Sequence, residues 1–234
     1  MKPDQRFLKQ SMPFWAHVRS ISQSVGYTER GKGEIKIPST REIISAMIEL
    51  GLKSDHLFQG MTPLPMGQLL IDYFSYRANA LNQQVQPNLM DKEAARALFE
   101  ETKVRLKYQG SIAVNKQKGD KKDTAFLTGL VQMLIAEGIG NNPCNFDPRH
   151  LTSVTVNGLP VRTLARRVDG AFPSVINPVS IWEIKEYYNT KTFGSRVADG
   201  VYETLLDGME LEELRDTVGI DVKHYLFLDD RFTW

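Results

Sequence analysis

Apolar residues recur along the first hundred positions at helical spacing. Residues 6–23 carry Phe7, Leu8, Phe14, Trp15, Val18 and Ile21 in an amphipathic pattern that Pro13 interrupts. After a polar stretch holding Gly26 and Gly33, Ser39 or Thr40 is placed to cap a helix with Glu42 in its first turn, and Gly51 is placed to close it. Further helices are expected over residues 66–84, through Leu69, Leu70, Tyr73, Phe74 and Leu81, and from Asp91 through Leu98, Phe99 and Val104. Between Tyr108 and Lys122 the chain turns polar and basic, which marks a linker or loop between a helical region, 1–110, and a second region, 120–234.

The second region has a different rhythm. Residues 124–137 (Phe126, Leu127, Leu130, Val131, Leu134, Ile135) read as a buried helix stopped by Gly138 and Gly140. A loop over 141–148 leads to the β-branched run 151–156, an Asn157-Gly158 turn and a returning strand over 160–169. A third strand follows over 179–187, then a helix over 195–218 and a strand over 223–228. The expected order is helix, three strands, helix, strand: a mixed α/β (α+β) sheet core, with a helical N-terminal region preceding it in the chain.

Composition narrows the setting without naming a task. The 234 residues hold enough apolar content, 41%, to bury a substantial core. No apolar run approaches the roughly 20 residues that span a bilayer, so no membrane partner is expected. Met1 to Arg6 lacks the apolar stretch of a secretory signal, and Cys144 is the only cysteine, which excludes an internal disulfide and fits a reducing cytoplasm. The net charge of +1 excludes no partner, but basic residues gather at Lys103 to Lys122 and at Arg162, Arg166 and Arg167, and acidic ones between Glu203 and Asp216.

The chemistry lies on the third strand. Side chains alternate faces along a strand, so Glu183 and Lys185 share one side, about 7 Å apart, while Trp182 and Ile184 point into a core. Charges on an apolar strand are costly unless paired or bound to metal. Asp169 ends the preceding strand, and two carboxylates brought close require a cation between them. With Mg²⁺ there, Asp169, Glu183 and the Ile184 backbone carbonyl would supply hard oxygen ligands, and Lys185 would orient an attacking water and offset phosphoryl charge.

Val168-Asp169-Gly170 followed by Trp182-Glu183-Ile184-Lys185, within this element order, resembles the PD-(D/E)XK nucleases of the restriction-endonuclease-like fold over roughly residues 120–230. The resemblance implies Mg²⁺-dependent cleavage of DNA, with Mn²⁺ as a substitute, in a restriction or other anti-phage system, and a homodimer that cuts both strands. Val168 stands where the name-giving motif has proline. The first core helix carries no carboxylate over 124–132, which leaves Glu137 as the second-metal or outer-shell candidate. Lys191, Arg196, Arg166, Arg167, Lys121 and Lys122 are candidate DNA contacts; Arg166 and Arg167 have the alternative of pairing with acids of the long helix. His17, His56, His150 and His224 are widely separated and show no metal-ligand spacing. Two rival readings are a nucleic-acid-binding protein that does not cut and a protein-interaction subunit of a defence or repair complex.

Overall fold

The computed structural model describes residues 4–29, 32–114, 123–188 and 195–232, with the side chains of 195–199 excepted. Two compact units divide at Asn88/Leu89. The helix expected from Asp91 onward therefore belongs to the second unit, and the boundary falls earlier than the basic segment that composition suggested.

In the first unit the apolar stretch that Pro13 interrupts forms two helices, α1 (Gln5–Leu8) and α2 (Met12–Val25). Pro13 sits in the first turn of α2, where its missing N–H would have had no partner in any case. Helix α3 (Thr40–Glu49) begins with a complete capping box: Ser39 accepts from the Glu42 N–H, and Glu42 reaches back to the Ser39 N–H at 2.9 Å. Gly51 follows at φ +67°, a conformation that glycine adopts without strain. A short hairpin, β1 (Phe58–Gln59) and β2 (Thr62–Pro63), precedes α4 (Pro65–Asn79). Phe14, Ile21, Ile43, Leu57, Leu70 and Phe74 form the fully buried centre of this unit.

The second unit holds α5 (Lys92–Arg105), capped by Asp91 at the Ala94 N–H, and α6 (Phe126–Ile139). It continues through β3 (Asn145–Phe146), β4 (Ser153–Val156), β5 (Leu159–Thr163), β6 (Gly170–Phe172), β7 (Ser180–Glu186), α7 (Ser195–Val218) and β8 (Lys223–Asp229). Four strands make one mixed sheet in the order β3-β6-β7-β8. The first three pair antiparallel, and β7 and β8 pair parallel from Ser180↔Lys223 to Glu186↔Asp229. A parallel pair needs a crossover, and α7 supplies it.

The hairpin expected at Asn157-Gly158 forms, with both turn residues at positive φ (52° and 79°). Its place differs from expectation: β4 and β5 make a separate two-stranded sheet. The run 160–169 is not one strand. It leaves the ladder after Thr163 because Leu164 and Val168 turn inward to pack with Ala171, Ile181, Leu211 and Leu214. The strand that follows Asp169 is the short β6, and its outer neighbour is β3, from the segment 141–148 expected to be loop. The result is an α+β unit with a helix on each sheet face. Val131 of α6 packs with Trp182 and Ile184 on one side, and Leu211 and Leu214 of α7 with Ile181 on the other. Among the described residues no helix is long and apolar enough to cross a membrane.

Candidate active site

Strand β7 is the spine of the site. Its alternation turns Ile181, Glu183 and Lys185 toward α7, and Trp182, Ile184 and Glu186 toward α6. The ladder between β6 and β7 runs out at Asp169, whose N–H donates to the Trp182 carbonyl at 3.1 Å. The Asp169 side chain then takes over from the backbone: its Oδ2 accepts the Ile184 N–H at 2.8 Å. A strand residue projects its N–H and C=O to the same edge, so the Ile184 carbonyl faces the edge that carries the Asp169 carboxylate.

Gly170 makes this approach feasible. A Cβ built there would lie 2.1 Å from Trp182 Cε2 and Cζ2, so only hydrogen fits between β6 and the indole. Gly170→Ala is expected to cost about 1–3 kcal/mol through overpacking, read as a lower urea midpoint. An unchanged midpoint would show that the strands part without penalty.

Glu183 is completely buried, and a cation does lie against it. That cation is Arg166. Its Nη2 donates to Glu183 Oε2 at 3.1 Å and to Glu203 Oε2 at 3.2 Å, and its Nη1 donates to Asp207 Oδ2 at 2.7 Å. Lys185 Nζ donates to Glu183 Oε2 at 3.1 Å and to Glu203 Oε2 at 2.7 Å. Two cations thus face three carboxylates, of which Glu183 and Asp207 are wholly shielded from solvent. Glu183 Oε1 lies 2.9 Å from Arg166 Nη1 without a well-directed hydrogen bond, and Asp207 Oδ1 accepts none. Burial pushes the Asp207 carboxyl up to about 6; Arg166 opposes the rise and Glu183 adds to it. Burial works against the charge on Lys185, but its bonds to Glu203 and Glu183 outweigh that and raise its pKa.

The candidate residues separate accordingly. Glu183 and Lys185 meet on one face of β7, and Asp169, just ahead of β6, meets the Ile184 backbone. Glu137 does not join them: it is exposed on α6 and pairs with Arg105 of α5 at 3.3 Å. Among the described residues no three His, Cys, Asp or Glu side chains are grouped to hold a metal. Arg166 takes the second of its two sequence readings, pairing with acids of the long helix; its guanidinium is engaged with carboxylates rather than turned out for a phosphate. Arg162 likewise pairs with Glu210 and Glu213 of α7. Arg167 is exposed. Lys121, Lys122 and Lys191 lie outside the described residues, as does the side chain of Arg196.

Glu203 and Asp207 were visible in the sequence only as part of an acidic stretch. Their spacing of four on a helix faces both toward Arg166, the one signal that could have singled them out. Glu186 was missed altogether. Ala125, the residue before α6, provides no side-chain cap, and Glu186 supplies it from β7: its Oε2 accepts the N–H groups of Leu127 (2.6 Å) and Thr128 (3.3 Å). Asp229 is a further buried acceptor, taking the Met90 N–H at 2.7 Å and the Tyr188 hydroxyl at 2.5 Å.

Burial raises the Glu186 carboxyl to about 7, against the two N–H bonds and with repulsion from Asp229 and Asp123 adding to the rise. Because the folded value lies above the ordinary 4.5, the stability from this group is complete below pH 4.5 and is lost as pH rises through 7. Its size is on the order of 2–3 kcal/mol. Glu186→Gln keeps an acceptor for the helix and is expected to flatten urea stability over that window and raise it at pH 8. Identical pH profiles for the two proteins would refute this.

Residues 90–234 match the family described as Domain of unknown function (DUF7687). The chain belongs to the DUF7687 family. A second match, Domain of unknown function (DUF7690), covers residues 1–84 and precedes the DUF7687 part, so the two matches fall on the two compact units. No curated protein matches the chain, and no solved structure matches it. The whole of the β6–β7–α7 site lies inside the DUF7687 match.

Proposed function

We propose that the second unit is a nuclease core of the restriction-endonuclease-like kind, and that the protein hydrolyses DNA phosphodiesters with Mg²⁺, Mn²⁺ serving in its place. The observation that carries this reading is that Asp169 is tied to the Ile184 N–H, between Glu183 and Lys185, on two paired strands of one sheet. The run α6, β3, β6, β7, α7, β8 supports it as well, with two antiparallel steps and a parallel strand reached through a helix.

The donor set fits a hard cation. Mg²⁺ takes one or two carboxylates and keeps several waters, so a group of three acids is not required. Glu183 is buried with Oε1 lacking a directed hydrogen bond, and the Ile184 carbonyl shares the edge of Asp169. Asp169, Glu183 and the Ile184 carbonyl would hold the ion, Glu183 exchanging part of its contact with Arg166. Bound there, Mg²⁺ supplies Lewis acidity toward the phosphoryl group and a more acidic coordinated water. Lys185, charged and with its side chain only 13% exposed, would donate through Nζ to a non-bridging phosphoryl oxygen or to the attacking water and offset the growing negative charge. Arg166 would hold Glu183 in place between substrates.

The biological setting that this chemistry suits is restriction or another anti-phage defence, and a homodimer would let two such sites cut both strands. One observation favours the rival of a non-cleaving DNA-binding or interaction subunit: Arg166 already neutralises Glu183. The test is incubation of wild type, Asp169→Ala and Lys185→Met with plasmid and phage DNA, in Mg²⁺ or in EDTA. Nicking by wild type that needs Mg²⁺ and is lost in both variants is expected. Equal nicking by all three, or nicking that survives EDTA, overturns the reading. DNA retention without any nicking selects the rival.

A further inference from the structure

The first unit brings together two histidines that are 39 positions apart. His17 projects from α2, between the buried Phe14 and Val18. His56 sits on the turn ahead of β1, where the N–H groups of Leu57 and Phe58 both donate to the Ser54 carbonyl. Leu57 and Phe58 are themselves buried, so both imidazoles leave backbone that the core pins in place. The two Nε2 atoms lie 2.8 Å apart, with ring centroids 5.0 Å apart. His17 Nδ1 is 2.6 Å from the Pro13 carbonyl, which can only accept, so Nδ1 carries the proton and Nε2 of neutral His17 presents a lone pair.

We propose that His17 and His56 form a two-histidine site for a borderline divalent transition-metal ion, of the Zn²⁺, Ni²⁺ or Cu²⁺ class, clasping α2 to the turn that leads into β1. The bond from His17 Nδ1–H to a backbone carbonyl is the outer contact that orients metal-ligating histidines. Imidazole nitrogen favours these ions, whereas Mg²⁺ prefers oxygen, so this site is chemically distinct from the one on β7. Two bonds of about 2.0–2.1 Å at a tetrahedral angle would hold the nitrogens about 3.3 Å apart. The present separation must widen by roughly half an ångström, which the exposed His56 side chain can supply by rotation. In the ion-free pair, His56 Nε2–H donates to His17 Nε2. On binding, that proton passes through water to His56 Nδ1, and both Nε2 lone pairs face the ion. Water completes the coordination.

The test is calorimetric titration of the untagged full chain with Zn²⁺ in excess Mg²⁺, with wild type, His17→Ala and His56→Asn compared. One saturable equivalent is expected in wild type, with affinity at least ten-fold weaker in each variant. Electron paramagnetic resonance of the wild-type chain loaded with one equivalent of Cu²⁺ should show coupling to two nitrogens, a reading that does not depend on either variant folding. Absence of a saturable equivalent, variants that bind as wild type does, or a Cu²⁺ spectrum with fewer than two nitrogens overturns the proposal.

Discussion

Lys185→Met is expected to slow Mg²⁺-dependent nicking of plasmid DNA by about 10²–10³-fold, the range found when one donor to a developing phosphoryl or acyl charge is removed. Methionine is the informative replacement because the Lys185 stem is packed: a Cβ at Gly200 would lie 3.3 Å from Lys185 Cδ. A chain of similar length keeps that packing and removes only the charge. The loss should appear in the single-turnover rate at saturating enzyme, with DNA affinity measured by anisotropy changing far less. This split separates a group that meets the transition state from one that merely attracts DNA. A variant that cuts at the wild-type rate removes Lys185 from the mechanism, and one that loses affinity and rate in equal measure demotes it to substrate binding.

Arg166→Met is expected to carry a large stability cost, about 3–5 kcal/mol, seen as a lower urea midpoint. The reason is what remains behind. Glu183 and Asp207 are wholly buried, and Arg166 contacts both. Lys185 would still reach Glu183 at 3.1 Å, but it makes no contact with Asp207. The Asp207 carboxyl already stands at about 6, above its ordinary 3.8, so whatever stability it contributes is lost as pH rises through 6. The cost of Arg166→Met should therefore be greatest near neutrality and shrink toward pH 5, where Asp207 protonates. Millimolar Mg²⁺ should raise the midpoint of Arg166→Met more than that of wild type, since one cation would replace another beside Glu183. A loss below about 1 kcal/mol at pH 7 would mean that the carboxylates relax into solvent and that Arg166 holds nothing in place.

The two predictions turn on residues of very different visibility. Glu183 and Lys185 could be chosen from the sequence because strand alternation is local: Glu-x-Lys inside an apolar run puts two charges on one face whatever the rest of the chain does. Asp169 could be chosen because it closes the strand-like run before it. The requirement for a cation beside Glu183 was also legible, as a consequence of burying charge. Its identity was not. Arg166 lies 17 positions from Glu183 and 41 from Asp207, and nothing in the local pattern says that these three converge. Glu186 escaped notice for a related reason: its partners are the bare N–H groups of α6, a role visible only once β7 lies beside the start of that helix.

Local pattern also set the elements more surely than their pairing. Ser39 and Glu42, Gly51, Asp91 and the Asn157-Gly158 turn act within a few residues, and each does in three dimensions what its chemistry required. The extent of the strand over 160–169 failed because Leu164 and Val168 gain more by packing against α7 than by extending a ladder. β3 was missed because a two-residue strand has no periodicity to read.

The sequence by itself thus determined the caps of α3 and α5, the Asn157-Gly158 turn, the strand β7 and the face that Glu183 and Lys185 share. Only the tertiary structure decided which strands are neighbours, that Arg166 is the cation among the buried acids, that Glu137 stands apart, and that His17 meets His56. The physical reason is range. Backbone conformation and side-chain alternation are set by neighbours in the chain, whereas charge pairing and proximity are set by how the apolar faces are buried against one another.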